Sequence, residues 1–148
     1  MSELNKSEVS ADKVSENKDA DFSDVFVTEN DTFDVVVRYY KEGSNVFVEN
    51  VDDNFDKTKK IKEFTVTFKY PNQSDVAQIS SSFPKIGAAG EIDARDFMRM
   101  EFTRLLCLIR KWSLKKPLEN SSVLSVHPKI IKGMVSQIRE KIGTDGII

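Results

Sequence analysis

The residues equipped for chemistry are few in this sequence. His127 is the sole histidine and Cys107 the sole cysteine. A Ser-His-Asp or Cys-His nucleophile, a histidine general base with a partner, and a zinc centre of the usual kind therefore lack the side chains they require. His127 directly precedes Pro128, which suits a loop or a helix cap. Cys107 lies in an apolar run; no intramolecular disulfide can form, and the position reads as a buried, inert thiol of a reducing, intracellular site. Gly87, Ala88, Ala89 and Gly90 lack both the Gly-Lys-Ser/Thr ending of a P-loop and the spacing of a dinucleotide fingerprint, so they read as a connector. The carboxylates of Asp52, Asp53, Asp93 and Asp96 fall in a loop or at a helix start, where solvation and capping account for them. No acid/base pair can be nominated, and the expectation is a chain that is not an enzyme and needs no cofactor or metal.

Two sets of residues suit binding instead. Lys57, Lys59, Lys60 and Lys62 are flanked by Phe55 and Phe64. Lysines neutralise phosphates and aromatic rings stack on unpaired bases, so this cluster, with Tyr39 or Tyr40, carries an alternative reading as a contact for single-stranded nucleic acid. Its structural counterpart is a lysine-rich strand entry that prevents edge aggregation, with Phe64 in the core. Trp112, in the run Trp112, Ser113, Leu114, reads first as a core tryptophan closing a helix and second as an anchor for a partner.

The elements that must position these residues are legible from periodicity. Strands are predicted over 33–40, 45–51 and 61–70, from runs of β-branched and aromatic residues and from the alternation of Phe64, Val66 and Phe68 with Thr65, Thr67 and Lys69. Joined by short loops, they suggest a short antiparallel meander with one apolar face. A helix over 93–112 is expected from Met98, Phe102, Leu105, Ile109 and Trp112, with Asp93 as candidate N-cap. Its apolar residues extend past one stripe, so it should be packed on more than one side. Helices over 73–81 and 128–142 follow, the latter from Pro128, Ile130, Ile131, Met134, Val135, Ile138 and Ile142 before Gly143. The fold class is therefore α+β: a meander packed against two or three C-terminal helices, in a single domain over 31–148.

Residues 1–30 are polar and acidic and read as a disordered arm, whose residues 22–27 hold a few apolar side chains able to dock on a partner or extend the sheet. With 39% apolar and 31% charged residues in 148, the composition fits a folded domain diluted by such a segment. Charge is divided along the chain. Residues 1–56 hold 5 basic against 15 acidic side chains, a net −10, and residues 57–148 hold 17 against 9, a net +8. The basic part is thus expected to meet either the acidic arm or an anionic partner. No run of 18 apolar residues and no signal peptide are found, so a soluble, cytoplasmic protein without membrane contact is expected.

The segment 64–142, a strand followed by RLLCLIRKWSL and then KPLENSSVLSVHPKIIKGMVSQI, resembles small tail assembly proteins of tailed bacteriophages. Leu105, Leu106, Leu108, Ile109, Trp112, Leu124, Pro128, Ile130, Ile131, Val135 and Ile138 carry the resemblance. It implies a small helical or α+β protein that coats a tape measure protein in the host cytoplasm before the tail tube assembles, or a tail or baseplate component, in either case binding protein without catalysis. Homo-oligomers are compatible with it. On this reading Trp112, Ile130, Ile131, Met134, Val135 and Ile138 bind the partner, and the last helix should carry more apolar side chains than the sheet and central helix can cover.

Overall fold

Dense β-branched and aromatic residues draw the chain into β1 (Thr32–Glu42), which turns back into β2 (Asn45–Val48). The two-residue turn needs a positive φ at its first position, and Gly43 supplies it at 62°. After a loop the chain returns as β3 (Lys62–Lys69), continues through helices α1 (Gln73–Ser80) and α2 (Ala94–Leu108), passes directly into β4 (Ile109–Trp112), and ends with α3 (Asn120–Leu124) and α4 (Pro128–Ile142). This computed structural model describes residues 22–81, 90 and 94–143. Most of the expected acidic arm, the 87–89 part of the glycine-alanine connector and the Asp93 cap lie outside those residues.

The class is α+β, with one four-stranded antiparallel sheet beneath helices of the C-terminal half. Its strand order is β2-β1-β3-β4, so β3 pairs with β1 rather than beside β2 as in a simple meander. β1 is long enough for both neighbours: residues 39–42 pair with β2 and residues 32–39 with β3. The shorter β2 ends at Val48, not at residue 51, because Asp52 accepts the Val48 N–H at 2.8 Å and the Val51 and Asp52 amides bond to the Val48 carbonyl. The turn sends the chain away from the ladder.

On one face Phe33 stands opposite Phe68, Val35 opposite Val66 and Val37 opposite Phe64, and all six are buried. The alternation visible in the sequence is therefore the inward face of the sheet. α4 covers it, lying across β1 and β2, with Ile130, Met134 and Ile138 one turn apart on its buried stripe. Pro128 opens this helix behind an N-cap His127, whose Nδ1 accepts the Lys129 N–H at 3.1 Å, and Gly143 follows it at φ 63°. α1 begins with a capping box in which Asn72 and Asp75 exchange side-chain-to-backbone bonds. Ile79 of α1 and Met100 of α2 form a second, smaller buried cluster.

The helix expected over 93–112 is corrected at its C-terminal end. It stops at Leu108, and residues 109–112 form β4, with Trp112 opposite Val66, Lys111 opposite Thr67 and Ile109 opposite Phe68. Ser113 reinforces the pairing: its amide donates to the Thr65 carbonyl and its hydroxyl oxygen accepts the Thr65 N–H, both at 2.9 Å. Satisfying the free edge of β3 outweighs one further helical turn, and the spacing of Ile109 and Trp112 serves both conformations. The five residues of α3 are too few for periodicity to reveal, yet Ser122 and Val123 are buried there.

α4 approaches β2 most closely at Gly133. A Cβ there would stand 2.9 Å from Val48 Cγ1 and 3.1 Å from Asn50 Oδ1. Val48 is fully buried, and Asn50 donates to the Gly133 carbonyl at 3.0 Å. Gly133→Ala is therefore expected to destabilise by about 1–2 kcal/mol, overpacking outweighing a helix-propensity gain of about 1 kcal/mol. A lowered urea midpoint at unchanged m-value checks this; a more stable variant would mean that α4 can retreat freely from β2.

Candidate functional site

The apolar surplus expected on the last helix is largely absent. Ile130, Met134, Val135 and Ile138 are 6%, 0%, 9% and 1% exposed, because the sheet face and α2 absorb them. As a free partner-binding surface Ile130, Met134 and Ile138 are corrected to core, and Val135 is nearly buried beside them. Ile131 remains half-buried at the margin. Trp112 lies on β4 rather than closing a helix; it packs half-buried on the core, and its indole N–H donates to the Lys116 carbonyl at 2.7 Å.

What remains open lies beside that core. A groove of about 860 Å³ runs between α2 and α4. Its apolar lining comes from Met98 and Phe102 of α2, Pro128, Ile131 and Val135 of α4, and Val51 of the loop after β2. Met98 is 68% exposed, an uncommon placement for a large apolar side chain beside a groove of this kind. The sequence stripe assigned Met98 and Phe102 to the core. The side of α2 that does reach the core carries Leu105 and Leu108, each fully buried.

Among the described residues, Arg95, Arg99, Lys132, Arg139 and Glu101 also line the groove. Glu101 pairs with Arg139 across the two helices and lies 3.7 Å from Arg104 Nη1. Arg104 is itself 1% exposed, and its Nη2 donates to the Gly143 carbonyl just beyond α4. Burial lowers its pKa from the ordinary arginine value, but a guanidinium stays charged across the range proteins experience. A cation at the C-terminal end of α4 also complements the helix dipole. The trio ties α2 to α4, and Glu101 and Arg139 of it line the groove. Its only trace in the sequence is an arginine directly before Leu105 and Leu106.

The lysine cluster is placed differently from what stacking on bases requires. Phe55 is packed at 5.0 Å against Tyr40, which in turn stacks on Phe47 at 4.9 Å. Tyr40 is buried, and Tyr39 is half-buried edge-on to Phe64. Lys59 is paired with Glu42 at 2.5 Å, while Lys57, Lys60 and Lys62 are exposed. Lys129 closes the other side of this aromatic stack, 5.2 Å above the Phe47 ring and 2.6 Å from Asp52. The structure thus brings the lysines near one another, but it places the rings against one another.

Residues 22–30, expected within the arm, have a defined path. Ser23–Val25 form a 3-10 turn, Asp31 accepts the Thr28 amide at 2.7 Å, and Glu29 accepts from Arg110 at 2.8 Å. Phe22, Val25 and Phe26 remain 60%, 69% and 70% exposed. Below Glu29 lies Lys69, 3% exposed at its side chain and bonded to Asp75 at 2.5 Å.

Other reactive groups have ordinary surroundings. Burial pushes the Cys107 thiol up, so it is protonated at neutral pH. Among the described residues, no three His, Cys, Asp or Glu side chains gather as a metal site, and no helix is long and apolar enough to cross a membrane. Compared with models of known protein families, with curated proteins and with solved structures, the chain matches none.

The buried pair makes stability depend on acid. Burial by itself raises the Asp75 pKa, but the hydrogen bond from Lys69, the Asn72 amide and the nearby charges of Lys69 and Arg110 more than offset it, so the carboxyl is held below its usual range. A depressed folded-state pKa contributes stability above the unfolded value, about 3.9, that is lost as pH falls through the folded one. Unfolding free energy is expected to drop below about pH 4, with a flatter profile in Asp75→Asn. At neutral pH that variant should lose about 3 kcal/mol, because Lys69 is left buried without its partner. Urea titrations from neutral to acid pH check both points, and parallel profiles for the two proteins would refute the assignment.

Proposed function

We propose that this chain is a non-enzymatic protein-binding module whose groove between α2 and α4 seats an amphipathic helical segment of a partner protein. The observation that carries the reading is an apolar floor, with Met98 68% exposed, open to solvent between the two helices with Lys132 at its edge. Helix-in-groove recognition needs such a floor for anchors at i, i+3, i+4 and i+7, and Lys132 at its edge favours a carboxylate beside them. Binding of this kind acts by burial of apolar surface, without chemistry.

The resemblance to phage tail assembly proteins indicates which partner to try first: a long helical tail or baseplate component such as a tape measure protein, whose apolar stripe would be shielded in the host cytoplasm before assembly. The groove, rather than the buried stripe of α4, is the surface this role would use. Single-stranded nucleic acid through Lys57, Lys59, Lys60 and Lys62 is the competing reading, and it is weakened by the packing of Phe55 on Tyr40.

A labelled peptide with Leu and Phe on one helical face and Glu flanking them is expected to bind the full chain. Met98→Glu or Lys132→Glu should weaken it at least about tenfold, or about 1.4 kcal/mol; both side chains are exposed, so the fold should survive. Fluorescence anisotropy at moderate salt reads this, alongside a single-stranded oligonucleotide of equal charge. Peptide binding indifferent to both substitutions, or binding of the oligonucleotide alone, would overturn the proposal.

A further inference from the structure

β1 has a strand on both sides over only part of its length. It pairs with β3 along residues 32–39 on one side, but with β2 only along residues 39–42 on the other. In an antiparallel ladder the N–H and C=O groups of alternate residues point to opposite sides. The Asp31 carbonyl accepts the Tyr70 amide at 2.8 Å and the Arg38 carbonyl accepts the Glu49 amide at 3.0 Å. Odd-numbered residues of β1 therefore face β3 and even-numbered ones face the β2 side. The backbone groups of Thr32, Asp34 and Val36 point to a stretch of edge that β2, leaving the ladder after Val48, does not reach. An unpaired edge of this kind is a template for a further strand.

One side chain answers it. Gln137, half-buried on α4, donates its amide to the Val36 carbonyl at 2.6 Å. Among the described residues, the Val36 amide and the amides and carbonyls of Thr32 and Asp34 have no such partner. The side chains of Thr32, Asp34 and Val36 are exposed on the outer face, Val36 at 40%. Asp34 Oδ1 accepts the Thr67 hydroxyl at 2.7 Å across that face.

We infer that Gln137 guards this edge, keeping it from pairing with the same edge of a second copy of the chain. The edge is its own complement. Two copies related by a two-fold axis pair antiparallel about Asp34, with Thr32 of each opposite Val36 of the other. That register uses the whole open stretch and stops short of Glu49, which already holds Arg38; its acceptors include the Val36 carbonyl of each copy. Gln137 fills that acceptor with the kind of donor an incoming strand would bring. Asp34 adds a weaker deterrent, because like charges directly opposite one another destabilise a strand pair. The device is separate from the α2–α4 groove and does not depend on what the groove binds.

Sedimentation velocity and amide hydrogen exchange on the full chain test this with Gln137→Ala and with Gln137→Met, which keeps the stem of the side chain and loses the donor. Wild type is expected to stay monomeric at concentrations where either variant forms a dimer. Raised salt should strengthen the dimer by screening the facing carboxylates, and so should Asp34→Asn, which keeps an acceptor for Thr67. Adding Val36→Pro should return the dimer to monomer, since the N–H it removes points to the open edge and not to β3. In the monomer, the Asp34 and Val36 amides should exchange at least about tenfold faster than those of Val35 and Val37, and dimer formation should slow them. Folded variants that stay monomeric at every concentration and salt, or that associate no more than wild type, would overturn the inference. So would association that leaves Asp34 and Val36 unprotected or that survives Val36→Pro, and so would a wild type whose Asp34 and Val36 amides exchange as slowly as their neighbours.

Discussion

A sheet with one apolar face is stable in water only when that face is covered, and in this chain α4 supplies much of the cover. Phe33, Val35 and Val37 of β1 and Phe64, Val66 and Phe68 of β3 form the surface, and Ile130, Met134 and Ile138 press onto the core it builds. The contact is close because Gly133 has no side chain where α4 meets Val48 and Asn50. Lys129 holds the start of the helix to Asp52, Gln137 donates to the Val36 carbonyl at 2.6 Å, and Arg104 reaches the carbonyl just past its end. The orientation of α4 is thereby defined along its length, and the groove takes its shape from that orientation.

α2 is the element with two tasks. Leu105 and Leu108 commit its later turns to the core, whereas Met98 and Phe102 line the groove. Directly after Leu108 the chain becomes β4, which pairs with β3 and anchors the helix at the sheet. Between the two helices, Glu101 lies between Arg104 and Arg139. Charges as well buried as Glu101 and Arg104 contribute little net stability compared with apolar packing, but removing one strands the other. Their effect here is to fix the spacing of the two groove walls.

Charge organises the rest of the surface. The acidic stretch before β1 is tied through Glu29 to Arg110 on the fourth strand, and Lys69 beneath it is neutralised by Asp75. The lysines before β3 are partly answered by Glu42, and their aromatic neighbours form an internal stack. Beside the exposed apolar surface of the groove stands the exposed Lys132.

The α+β class, the first three strands and the span of the last helix could be read from the sequence because each depends on local periodicity: alternation where one strand face is buried, and a three-to-four spacing where one helix face is. Ends and partners could not. Residues 109–112 satisfy helical spacing as well as a strand, and only the free edge of β3, distant in sequence, selects the strand. Likewise, periodicity marks Met98, Phe102, Ile130, Met134, Val135 and Ile138 alike as apolar and says nothing of how much surface each face will meet. Packing against the sheet and α2 buried Ile130, Met134 and Ile138 and left Met98 beside an open groove, because whether an apolar residue becomes core or stays at the surface depends on neighbours that only the tertiary fold brings within reach.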